Sequence, residues 1–167
     1  MATMSTIARL ASERRIGFKM DEVMSGEHEF QPGHGPGERR PMSFRVTWGP
    51  TNLFKWLNPW GDEFLTQPLD GTVTVDGLCV DAPCSGTLAL RYFTERKIRY
   101  DFRFSNAGRS FRFVGEKVNI WPWNLHVSHT TCYGELVDET SGELVSRSIT
   151  FFRFRTAPAF IASLRLA

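Results

Sequence analysis

Four side chains of types that move protons, Glu22, Lys117, His129 and Tyr133, are the candidates for chemistry in this sequence, and all fall in segments expected to form strands. A carboxyl or an ammonium enclosed by apolar surroundings is driven toward its neutral form, because burial penalises the charged one. A group titrating near neutrality is what general acid–base catalysis uses. The chemistry these four residues suit is cofactor-free isomerisation, cyclisation or hydration of a hydrophobic intermediate. Around them a ligand-binding wall is expected from Met24, His28, Phe44, Trp48, Tyr92, Tyr100, Phe102, Phe113, Trp121, Trp123 and Phe152. Each also has a structural reading. An inward His or Tyr is ordinarily a hydrogen-bonded core residue, and an inward Lys117 either snorkels to an opening or meets a carboxylate such as Glu22. Burial of both as a fixed ion pair would favour structure over catalysis.

Other chemistry is poorly supported. The four histidines include an H-x-x-H at 126 and 129, but on a strand these two face opposite sides, so no metal site is expected. The three cysteines, with Cys79 and Cys84 four residues apart, read as thiols in a reducing compartment, not as a disulfide framework. Phosphate-binding glycine loops, H-E-x-x-H, G-x-S-x-G and EF-hand signatures do not occur, and no cofactor is expected. Twenty Lys and Arg against 18 Asp and Glu is too balanced for nucleic-acid binding by charge. No apolar run reaches the length of a membrane span, and MATMSTIARLASERR lacks the apolar core of a secretion signal, so a cytoplasmic location is expected.

The positioning elements follow from the pattern. With 14 Phe, 5 Trp and 3 Tyr, the chain favours a β architecture around large rings. Period-two alternation predicts strands at 20–30, 42–48, 71–76, 85–93, 97–105, 109–120, 126–137 and 143–154, with turns at Asp76-Gly77, Asn106-Ala107-Gly108 and Thr140-Ser141-Gly142. One or two helical turns are expected between Asn52 and Leu57. Hairpins in unbroken succession predict an all-β, antiparallel up-and-down barrel of about eight or more strands, lipocalin-like or calycin-like, with a two-sheet sandwich as the other arrangement. It would span 18–156, between an N-terminal helical segment at 1–17 and a short C-terminal helix at 157–167. On 97–105, Ile98, Tyr100, Phe102 and Phe104 share the inner face, and Phe111 and Phe113 continue through Gly115 to Lys117.

The order of several short motifs resembles a known family. Phe18-Lys19-Met20-Asp21-Glu22-Val23-Met24-Ser25-Gly26 is similar to the F-x-E-x-M-x-G start of the accessory domain that accompanies some bacterial glucose–methanol–choline oxidoreductases, including cholesterol-oxidase-like proteins. Leu69-Asp70-Gly71-Thr72-Val73, Gly86-Thr87-Leu88, Ile98-Arg99-Tyr100-Asp101-Phe102, Phe113-Val114-Gly115-Glu116-Lys117 and Thr130-Thr131-Cys132-Tyr133-Gly134 continue the likeness. The flavin fingerprint is missing, so the resemblance implies an apolar substrate neighbourhood and a flavin-dependent oxidoreductase partner, not oxidase activity. The expected function is binding of a sterol, terpenoid, polyketide or lipid in an aromatic-lined barrel. The alternatives are the cofactor-free enzyme described above and an assembly domain; a homodimer is compatible with all three.

Overall fold

In a computed structural model, residues 16–124, 130–152 and 165–166 are described. They form β1 (Phe18–Phe30), β2 (Arg40–Trp48), the single-turn helix α1 (Leu53–Trp56), β3 (Thr66–Val75), β4 (Cys79–Arg91), β5 (Lys97–Asn106), β6 (Arg109–Lys117), β7 (Thr131–Asp138), β8 (Leu144–Phe152) and β9 (Arg165–Leu166). Every strand from β2 to β7 pairs antiparallel with the next. β1 pairs with β8 on one side and β2 on the other, which closes an eight-stranded barrel. Closure leaves no free edge among these eight strands, the hazard that an open meander would present.

The strands exist because their side chains alternate. On β5, Ile98, Tyr100, Phe102 and Phe104 are buried at 5% exposure or less, while Arg99, Asp101 and Arg103 meet solvent or one another. The β5–β6 turn is a two-residue hairpin in which Ala107 and Gly108 both have left-handed φ, of 51° and 76°, the geometry whose twist suits paired strands. β4 begins at Cys79, six residues before the expected start. A register shift between Val73 and Val75 and a left-handed Asp81 (φ 46°), tied by its N–H to Thr74 Oγ1 at 3.0 Å, absorb the irregularity that Pro83 and the polar Asp81 introduce.

Two expectations at the ends need separate statements. Arg165 and Leu166, placed in a C-terminal helix by the sequence reading, instead form β9. The start of β1 overhangs its other partners, and its Phe18 and Lys19 pair there with Leu166 and Arg165, fixed by an Arg165 to Asp21 ion pair of 3.1 Å. The N-terminal helix expected at 4–15, and the rest of the C-terminal one, lie outside the described residues.

The mid-barrel core is built from rings. Phe44 packs 5.5 Å from both Tyr100 and Phe102 and 5.6 Å from Phe113, and Phe102 stacks on Phe113 at 4.8 Å. Gly115 and Gly134, paired across β6 and β7, make room for this stack: a Cβ on Gly115 would come within 2.7 Å of both Cys132 Sγ and the Phe113 ring. Each such ring taken out of water contributes about 2 kcal/mol.

Candidate functional site

The two ends of the barrel differ. Connections 31–39, 76–78, 107–108 and 139–143 close one end, here the turn end. At the other, the aromatic end, lie 49–65, 92–96 and 118–124. Just inside the aromatic end, three strands and a neighbouring indole meet around one carboxylate. Glu22 on β1 accepts from Lys117 Nζ on β6 at 2.8 Å, from Tyr100 OH on β5 at 3.0 Å to each oxygen, and from Trp48 Nε1 on β2 at 3.1 Å. Glu22 and Lys117 are each 4% exposed and Tyr100 is 1% exposed. The ammonium also lies 5.3 Å from the centre of the Tyr100 ring, a cation–π contact. Glu22 therefore has donors on both oxygens, which a buried carboxylate requires.

Burial, and then the nearby Glu22 carboxylate, hold the Tyr100 phenol well above its ordinary range and push Tyr92 up to about 12, so both stay protonated as donors. Burial likewise pushes the Cys132 thiol up to about 12 and Cys84 to about 12, which leaves both inert as nucleophiles.

Elsewhere the interior holds polar atoms without a hydrogen-bond partner among the described residues. Gln67, 1% exposed on β3, accepts from Trp56 Nε1 at 2.6 Å through Oε1. Its Nε2 has no hydrogen-bond partner among the described residues, and neither has Ser148 Oγ, which lies on β8 opposite His28. The indole donor fixes which way the Gln67 amide points, so the unmatched atom is a donor. Buried polar groups are ordinarily paired, so an unmatched amide donor stands out.

The candidate residues separate into groups. Glu22, Tyr100 and Lys117 come together as one cluster, with Trp48 half-buried against it and Tyr92 also half-buried. Met24 is buried, and Phe152 packs on the core. Phe44, Phe102 and Phe113 are inside as expected, but they bury their faces on one another beneath the cluster. His28 is inside too, at the turn end: its Nε2 donates to the Asp76 carbonyl at 2.9 Å and its Nδ1 accepts from Ser146 Oγ at 2.8 Å. Tyr133, expected inside, projects outward at 52% exposure. β7 turns Cys132 inward instead, because only a small side chain fits beside Gly115 and Phe113. Trp123 is also outside, at 71% exposure, stacked on Trp121, which carries the Arg96 guanidinium 3.4 Å from its ring centre. His129 lies outside the described residues. Sequence reasoning missed Gln67, which shares its face with Leu69 and Val73, because the expected strand began only at Gly71.

A groove of about 1110 Å3 runs over the outer wall on the side of β6 opposite Lys117. Tyr133, Val114, Ile149 and Phe151 line it among charged side chains that pair with each other, including Arg147 with Glu135 at 3.1 Å. Among the described residues no group of His, Cys, Asp and Glu could hold a metal ion. No family model, curated protein or solved structure matches the chain.

Proposed function

We propose that the aromatic end of the barrel binds a neutral, mostly apolar small molecule carrying a hydroxyl or carbonyl oxygen, in the manner of a lipocalin-like carrier. The observation that carries this reading is the unmatched buried donor Gln67 Nε2 toward the aromatic end, where the Glu22–Lys117 pair is already compensated. A donor without an acceptor inside a barrel costs about 1–3 kcal/mol, and a ligand oxygen would return that. Because Glu22 and Lys117 cancel each other, a ligand carboxylate would bring a net charge into the interior, so a neutral oxygen is preferred. Trp48, Tyr92 and Phe152 would supply apolar contact, as most small-molecule sites do. The resemblance to the oxidoreductase accessory domain, which rests on short motifs, suits a sterol or isoprenoid alcohol or ketone and delivery to a flavin-dependent partner.

Binding is favoured over acid–base catalysis because Lys117 and Glu22 are spent on each other, and Tyr133 lies on the other side of the wall. The test is native mass spectrometry of protein purified from its host, followed by titration with an alcohol, a ketone and a carboxylate of the same carbon skeleton. A co-purifying neutral lipid, a preference of tenfold or more for the neutral compounds, and loss of that preference in Gln67→Leu are the expected results. Absence of any adduct, with no thermal shift for any of the three compounds, overturns the reading.

A further inference from the structure

Large apolar side chains are exposed unevenly on this molecule. Phe54 (52%), Leu57 (54%), Trp60 (92%), Phe93 (81%) and Trp123 (71%) all project from the connections of the aromatic end. These connections touch one another: Phe64 stacks on Phe93 at 6.4 Å, the Ile120 N–H donates to the Arg96 carbonyl at 3.0 Å, and Trp121 bridges Arg96 to Trp123. The result is one continuous rim. We infer that this rim is a docking surface for the interfacial layer of a zwitterionic lipid bilayer.

Three features favour a bilayer. Trp60 stands almost free of its own protein, and Phe93 and Trp123, each stacked on one neighbouring ring, still keep most of their surface exposed, whereas protein-binding anchors work within packed patches. Tryptophan carries an apolar ring and one polar N–H, which suits the boundary between headgroups and chains. The rim's charges are mostly paired off, Lys55 with Glu63 at 3.2 Å and Arg91 with Glu95 at 2.6 Å, so the surface matches a headgroup layer without net charge better than a polyanion. Among the described residues no helix is long and apolar enough to cross a membrane, and the rim is shaped to lie on one. The inference stands on exposure and charge at the rim and does not depend on what the barrel holds.

Flotation of the full chain with phosphatidylcholine vesicles tests it. The protein should float with the vesicles equally at low and at 0.5 M salt, as apolar insertion predicts and counterion pairing does not (about 10 Å screening at 0.1 M). Trp60→Ser/Phe93→Ser/Trp123→Ser should lower the partition coefficient at least tenfold with an unchanged circular dichroism spectrum. Should that variant misfold, quenching of the wild-type tryptophans by bromine-labelled phosphatidylcholine serves instead and should be strong. Three results each overturn the inference: no flotation or quenching with phosphatidylcholine, binding only to phosphatidylserine vesicles that salt abolishes, or concentration-dependent self-association of the wild type that the triple substitution removes while flotation is unaffected. Vesicle binding with no ligand in the barrel would sink the proposed function and leave the docking surface standing.

Discussion

Removing either half of the Glu22–Lys117 pair strands a charge where solvent scarcely reaches, since both side chains are about 5% exposed. Breaking such a pair from one side typically costs about 3–5 kcal/mol, whereas removing both charges costs far less. Lys117→Met and Glu22→Gln should each lower the urea-unfolding free energy by that order, and Glu22→Gln/Lys117→Met should lose less than either single variant. Strictly additive losses would mean that the two groups do not act as a pair. His28 poses a different residue-scale question. Burial is the largest cause holding its imidazole below the ordinary value of 6.5, so the unfolded chain binds a proton that the folded barrel refuses. Stability is therefore full above about pH 6.5 and is lost as the pH falls from there toward the lowered folded value, where the loss levels off. His28→Gln keeps a donor for the Asp76 carbonyl and cannot titrate, so the urea midpoint should fall less between pH 7.5 and 5.5 in that variant than in the wild type. Equal slopes would place the sensitivity in other groups.

Within the strands, Phe113 lies over two glycines, Gly115 of its own strand and Gly134 of β7. A Cβ at Gly134 would fall on the Phe113 ring and on Ser148 Oγ. Gly134→Ala should cost about 1–3 kcal/mol by overpacking, and Phe113→Leu should recover part of it in the double variant, measured as a coupling energy in a double-mutant cycle. Absence of coupling would mean the ring is not what fills the space. The same strands show what was readable in the sequence. Ile98-Arg99-Tyr100-Asp101-Phe102 alternates so strictly that its faces are unambiguous, and the run from Phe111 through Gly115 gives Lys117 its side. β7 was not readable in this way, because Tyr133 outside is larger and more aromatic than Cys132 inside, and the apolar count points the wrong way. Gln67 was hidden by Pro68, which reads as a break although β3 runs through it. Alternation also assigns only a side of the wall. The height at which Glu22 meets Tyr100 and Lys117 depends on the stagger of strands whose residues lie 78 and 95 positions apart, which no local pattern encodes.

At the level of the whole molecule, closure is the costly step, because β1 must return to β8 across almost the entire chain. The His28 to Ser146 hydrogen bond spans 118 positions, and loop closure over such a distance is slow and entropically unfavourable. β1 answers with polar latches at both of its ends. Glu22 reaches β5 and β6 at the aromatic end, and His28 reaches β8 and the β3–β4 turn at the other. A slip of one residue would turn both latches out and drive Glu27 and Glu29, now exposed, into a core of phenylalanines, so the polar pattern enforces a single register. Hydrogen exchange can separate this role from simple stability. In the wild type, the β1 amides that pair on both sides should be as protected as those of β4 to β6, since neither flank of β1 is an edge there. In Glu22→Gln/Lys117→Met, exchange across β1 should rise at least tenfold beyond the change in β4 to β6, because the strand then opens locally before the barrel unfolds. A uniform change across all strands would show that the pair merely adds stability and that the hydrophobic rings alone hold the seam shut.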